Sequence, residues 1–286
     1  MAEIVGVSAS TLSMWLGREN FPITALQKLL DSDPTPIHEI KPLYENPVEA
    51  IQLSIIVPSA GPVGNWTRKC IDKLMAPGMA YEPESYNSLY HVRNMAAARF
   101  MRSSRDWSFW CDADMLHPCG DAKWFKETSQ RRAYPEVYAG MNTIFRLLAH
   151  KKTIASVVYV EKTANKPHVM FQGGDDPMVR AAIARGPREL VVTADWCGFG
   201  GVLIHKSVFH DIANKGLAPK LTNLYMRQKL GYDWGFFNPA EEHFGDDISF
   251  CARAKSAGHI VHVDMALLSE HLGARSYGYE DLRATI

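Results

Sequence analysis

No stretch of about 18 consecutive apolar residues occurs in the 286-residue chain, so no transmembrane helix is expected. The first residues lack a basic segment leading into an apolar core, which predicts no secretory signal and a cytoplasmic protein. Cysteine is scarce. Cys70, Cys111, Cys119, Cys197 and Cys251 are odd in number and scattered, with no C-x-x-C pair. That pattern fits reduced thiols better than a disulfide framework or a zinc site. Internal repeats and low-complexity tracts are absent, and so is net charge: 31 basic groups balance 31 acidic ones. With 47% hydrophobic and 22% charged residues, the composition is that of a globular protein with one large domain or two smaller ones.

The neutral total hides an uneven distribution. Residues 1–50 hold three basic groups (Arg18, Lys28, Lys41) against seven acidic ones, a net of −4. Residues 91–152 hold 11 Lys and Arg against 6 Asp and Glu. A local excess of that kind either attracts a polyanion or belongs to an ordinary solvated surface.

Residues 1–30 read as a short helical arm. Leu12, Trp15 and Leu16 share an apolar face at helical spacing, and Ser8 suits an N-cap. Residues 31–50, with Pro34, Pro36, Pro42 and Pro47 among polar groups, read as a linker. From residue 51 to 286 the pattern changes to alternating strands and helices. Strands are expected at 53–57, 107–111, 154–160 and 260–263, and within 196–204. Helices are expected at 65–75, 89–104 and 246–257. The alternation predicts an α/β sheet with some mixed pairing, whose ligands bind beyond the carboxyl ends of the strands.

The run Ser108-Phe109-Trp110-Cys111-Asp112-Ala113-Asp114 places two aspartates at such an end. If the strand continued, Asp112 and Asp114 would point the same way and repel each other unless a cation sat near them. Hard divalent ions prefer oxygen ligands and share them with substrate phosphates. The other reading is a solvated turn with two ordinary aspartates.

Four segments in order carry a resemblance. They are Ser54 to Gly61; His91-Val92-Arg93-Asn94 ahead of Asp112-Ala113-Asp114; Trp196-Cys197-Gly198-Phe199-Gly200-Gly201; and Phe244-Gly245-Asp246-Asp247 followed by His271-Leu272-Gly273. The set resembles glycosyltransferases of the GT-A fold, family-2-like enzymes of bacteria and phages, over residues 52–275. The resemblance implies a Rossmann-like mixed sheet flanked by helices. It implies a divalent cofactor, Mn²⁺ or Mg²⁺, and a nucleotide-sugar donor such as a UDP-sugar. Pro58 and Ser59 would line the nucleotide pocket, and Arg93 would approach the nucleotide or its phosphates. Asp112 would contact the ribose or a metal-bound water, Asp114 would ligate the metal, and His271 would complete the metal site. Asp246 or Asp247 would act as general base. Gly198, Gly200 and Gly201 would form a tight floor beneath donor and acceptor.

Bland readings stand beside these roles. Arg93 could pair with a nearby acid, His271 could be a surface histidine, and Asp246 and Asp247 could cap the helix they open. Trp234, Phe236 and Phe237 either stack on a ligand or pack. Asp195 and Cys197 fall near the expected site, Cys197 as a core residue.

The arm Ala2-x-x-x-Gly6-Val7-Ser8-x-x-Thr11-Leu12-Ser13-x-Trp15-Leu16 resembles part of the helix-turn-helix of phage and bacterial repressors. Joined to a phage-like transferase, it implies DNA carrying a 5-hydroxymethylpyrimidine as acceptor, in the cytoplasm of a bacterial host. A saccharide, lipid or protein acceptor is the alternative. A non-catalytic DNA-binding regulator that senses a nucleotide sugar is another.

Overall fold

Leu53–Ser59 forms the first strand, β1, and Leu53, Ile55, Ile56 and Val57 are all fully buried. Such a run, apolar at successive positions instead of alternate ones, marks a strand covered on both faces. The computed structural model describes residues 51–59, 63–85, 88–121, 123–124, 140–160, 171–172, 191–240, 245–273 and 276–277. The expected arm (1–30) and linker (31–50) lie outside the described residues.

The central sheet has seven strands. Beside β1 they are β2 (Met79–Ser85), β3 (Trp107–Trp110), β5 (Ile154–Val158), β7 (Val191–Ala194), β9 (Val202–His205) and β10 (Val261–Leu268), in spatial order β2-β1-β3-β9-β5-β10-β7. β1 runs parallel to β2 and β3, and β10 parallel to β5. β9 runs antiparallel between β3 and β5, and β7 is antiparallel on β10. The result is the expected Rossmann-like mixed sheet.

Side-chain alternation divides the core into two layers. Ile56, Trp110, Ile154 and Val158 face a layer completed by three helices, α2 (Leu89–Arg102), α4 (Lys206–Asn214) and α6 (Asp246–Ala257). Leu53, Ile55, Val57, Phe109, Ala155 and Val157 face the other layer, closed by α1 (Asn65–Leu74) and α3 (Thr143–Ala149). A shorter helix, α5 (Leu224–Leu230), ends on Gly231 in the left-handed conformation. Among the described residues, no helix is long and apolar enough to cross a membrane.

Three differences from the sequence expectations have physical reasons. β1 continues through Pro58, which the pattern treats as a stop. Pro58 lies past the last β3 pair, Ile56 with Trp110, so no β3 partner stands beside it and its missing N–H interrupts no ladder there. β10 runs on to Leu268 with a shift in register after Asp264, because a buried carboxylate supports the irregularity. Asp264 accepts hydrogen bonds from Arg146 Nε at 2.7 Å and from the Ala266 amide at 2.9 Å, and His150 Nε2 lies 2.6 Å away. Third, β3 stops at Trp110, and Asp112 and Asp114 lie in the turn beyond it.

Two short pairings matter for the site. β4 (Met115–Leu116) lies antiparallel to β11 (Glu270–Leu272), with His271 opposite Met115, and β12 (Ser276–Tyr277) flanks β11. A separate pair joins β6 (Phe171–Gln172) to β8 (Trp196–Cys197).

Candidate active site

Strand direction decides what can meet. β1, β3, β5 and β10 all end at one edge of the sheet, and antiparallel β9 begins there, with Val202 opposite Trp110 and Ser156. That edge therefore collects Pro58 and Ser59, Asp112 and Asp114, Tyr159, Gly198 to Gly201, and His271. α6 opens at the same edge and brings Asp246 and Asp247. Loops at the carboxyl ends of strands are where α/β sheets bind ligands.

Asp114 and His271 are brought together by the β4–β11 pairing, which the Leu272 amide reinforces by donating to the Asp114 carbonyl at 2.7 Å. His271 Nε2 lies 3.3 Å from Asp114 Oδ1. Its Nδ1 lies 3.1 Å from the Val160 carbonyl oxygen. A carbonyl only accepts, so Nδ1 carries the proton and donates. In the neutral ring, Nε2 then presents a lone pair toward a carboxylate. Two acceptors in that arrangement call for a cation between them, either a proton or a metal ion. One carboxylate and one imidazole, with substrate phosphates completing the shell, are a donor set suited to Mn²⁺. Among the described residues, no three His, Cys, Asp or Glu side chains are grouped to hold a metal by themselves.

Asp112 goes elsewhere. Arg93, on the first half of α2, reaches Asp112 Oδ1 with one terminal nitrogen (3.0 Å) and Asp246 Oδ2 with the other (2.7 Å). The Arg93 side chain is 3% exposed, and its guanidinium lies 5.1 Å from the Phe199 ring centroid. Burial opposes its charge, but Asp112, Asp246 and Asp247 together hold it firmly protonated. Arg93 therefore pairs with acids in the free protein. The turn sends the two aspartates of Asp112-Ala113-Asp114 to different partners, unlike the side-by-side arrangement a continuing strand would give.

Gly245 takes the N-cap of α6, and of the two aspartates Asp247 satisfies a free amide of the first turn with its side chain. Asp246 faces Arg93. Asp247 Oδ1 accepts from the adjacent Ile248 amide, at 2.9 Å. Burial, then the charges of Asp246 and Asp112, raise the Asp247 carboxyl above its usual range against the pull of Arg93.

Glycines form the floor because nothing larger fits. A Cβ on Gly200 would lie 2.7 Å from the Tyr159 ring. One on Gly201 would lie 2.6 Å from Val157 and 2.7 Å from His117. Gly198 is buried in the same turn. Pro58 is buried and Ser59 half-buried at the end of β1.

Two residues at this edge escaped the sequence reading. Tyr159 is buried, and its phenol oxygen accepts from the Gly200 amide at 3.1 Å. Burial, then the charge of Asp112, pushes that phenol well up. His117, fully buried, lies 2.7 Å from Ser269 Oγ through Nδ1, and burial pushes its imidazole down to about 3. Tyr159 falls within the β-rich run expected at 154–160, just past the end of β5, and that position is the signal that could have found it. His117 has no such signal. Phe236 and Phe237 pack against Phe250, Phe199 and Phe209 instead of facing the site, and Cys197 is buried as expected. Asp195 is displaced from its expected place. β7 runs antiparallel, so Asp195 emerges at the opposite edge and pairs with Lys255.

No protein-family model matches the chain, and no curated protein does. Among solved structures, the chain is similar to A197 from STIV, with a TM-score of 0.44 and 13% identity over 78% of this chain and 86% of that one. It is also similar to 4-diphosphocytidyl-2C-methyl-D-erythritol synthase from Anaerococcus prevotii, with a TM-score of 0.29 and 10% identity over 72% of this chain and 96% of that one. What the chain does is carried by its side chains, not by these likenesses.

Proposed function

We propose that this protein is a metal-dependent glycosyltransferase that moves a sugar from a nucleotide sugar, such as a UDP-sugar, to a hydroxyl acceptor. The observation that carries the reading is Asp114 and His271 facing each other across 3.3 Å at the edge where Asp246 and Asp247 also arrive. Asp114 and His271 would hold Mn²⁺ or Mg²⁺, which supplies a Lewis acid for the departing diphosphate. Asp112 lines the donor side. Asp247, which is not the carboxylate ion-paired with Arg93, takes the acceptor's proton. The glycine floor lets the backbone come close to the sugar.

A 5-hydroxymethylpyrimidine in DNA is the acceptor this reading tests first, with a flipped base delivering the hydroxyl. Its support lies in the repressor-like pattern of residues 1–30. The basic excess in 91–152 gives it less among the described residues, outside which Lys126, Arg131 and Arg132 lie. Arg93 and Arg146 are buried against carboxylates, and Arg99 and Arg105 pair with Glu84 and Glu82. Exposed Arg102, Lys151 and Lys152 sit where α2 ends and β5 begins, at the edge opposite the site. A saccharide, lipid or protein acceptor is the alternative, and turnover of any donor excludes a purely regulatory role.

The test is transfer of labelled sugar from a panel of nucleotide sugars with Mn²⁺, using hydroxymethylated DNA and saccharides as acceptors. EDTA is expected to abolish transfer, and Asp114→Asn to slow it by about 10²-fold or more. Undiminished transfer in EDTA overturns the metal assignment.

A further inference from the structure

One guanidinium spans the two halves of the site. Asp112 comes from the turn after β3, on the donor side, and Asp246 from the start of α6, on the acceptor side. Arg93 touches both, from a third element, at 3.0 and 2.7 Å. The side chain is buried, the Phe199 ring lies 5.1 Å away, and among the described residues Nε has no hydrogen-bonding partner. The Asp112 contact is a hydrogen bond, and the Asp246 contact is an ion pair. Asn94, the next residue, fixes this part of α2 by accepting from the Phe237 amide (2.9 Å) and donating to Asn238 Oδ1 (2.8 Å). The arginine is therefore anchored on a rigid helix, and two carboxylates are placed by it.

We propose that Arg93 is a positioning residue, a strut that sets the spacing between Asp112 and the Asp246–Asp247 pair and does not bind the donor phosphates itself. The proposal rests on the transferase reading for its kinetic consequences, but its geometry stands in the free protein. A planar guanidinium can hold two carboxylates at once in fixed directions, whereas an ammonium on a flexible stem acts as a point charge. By holding Asp246, the strut also leaves Asp247 as the carboxylate available to an acceptor.

The groups facing this strut are Asp112, Asp246 and Asp247, with Tyr159 from the end of β5. Removing the cation leaves three carboxylates facing one another in a half-buried space. Two measurements follow. The first is thermal unfolding of the unliganded protein. Arg93→Met is expected to lower Tm by about 5 °C or more, and Arg93→Lys to recover only part of that loss. Asp246→Asn is expected to lower Tm in the wild-type background and to raise it in the Arg93→Met background, a reversal of sign that reports direct coupling.

The second measurement is kinetic. Arg93→Lys is expected to reduce kcat by about 10-fold or more while the donor KM stays within about threefold, because misplacement harms the chemical step more than donor binding. A raised donor KM at unchanged kcat would make Arg93 a phosphate ligand and overturn the proposal. So would Asp246→Asn shifts of the same sign and size in both backgrounds. A wild-type protein inactive with every donor, but showing the reversal, would sink the transferase reading and leave the strut standing.

Discussion

Asp247→Asn is expected to cut kcat by about 10² to 10⁴-fold while leaving the affinity for nucleotide sugar nearly unchanged. Asp247 opens α6 at the site edge, is not ion-paired with Arg93 as Asp246 is, and accepts its neighbour's amide. Its carboxyl is raised by burial first, then by Asp246 and Asp112, while Arg93 pulls the other way. A carboxylate with a raised pKa is a stronger base. The sign of the pH dependence follows. Turnover needs the ionised form, so it falls as pH drops through the raised value, above the ordinary carboxylate range near about 4. Stability moves oppositely. A folded pKa above the unfolded one means that the charged form weighs against folding at neutral pH, and acid relieves it. Asp247→Asn is therefore expected to hold or raise Tm while losing turnover. A variant that loses both together would mark Asp247 as structural, and normal turnover would place the base elsewhere.

The largest stability effect is expected away from the site, at Asp264. Its side chain has no exposure, and that of Arg146 is 2% exposed. Asp264→Asn removes the carboxylate that meets the buried Arg146 guanidinium at 2.7 Å and is expected to cost about 3–5 kcal/mol. Replacing both, Asp264→Leu with Arg146→Met, is expected to recover much of the loss, since a packed apolar pair of similar volume needs no charge balance. The Asp264 carboxyl is lowered overall. Burial would raise it, but His150 and Arg146 outweigh burial. Its stabilisation is thus fully present above the unfolded carboxylate value of about 3.9 and is lost as pH falls through the lower folded value. Urea unfolding at a series of pH values checks both points. An equally stable Asp264→Asn protein would mean that the charge is compensated by groups other than Asp264.

Much of this architecture was legible because it rests on local patterns. The run from Leu53 to Val57 and the helical stretch near 89–104 carry their periodicity in the sequence. So does the Asp246–Ala257 helix, which ends on Gly258 in the left-handed conformation. The residues expected at the site mostly do gather, since strand direction sends Asp112, Gly200 and His271 to one edge. What the sequence could not tell is how they pair. That Arg93 takes Asp112 and Asp246 depends on where α2 lies against the turn after β3, a packing outcome with no local signature. The meeting of Asp114 with His271 depends on β4 and β11, strands of two and three residues, too short for any alternation to register. Asp195 was misplaced for a related reason: proximity in sequence to Gly198 says nothing about the direction of β7.

The central claim is that this edge binds a nucleotide diphosphate through a divalent cation held by Asp114 and His271. Calorimetric titration of UDP into the protein, with and without Mn²⁺, tests it without requiring the acceptor to be known. The account predicts binding that depends on Mn²⁺ and weakens by about 10-fold or more in Asp114→Asn and in His271→Ala. Equal affinity in EDTA, or full affinity in both variants, would contradict it.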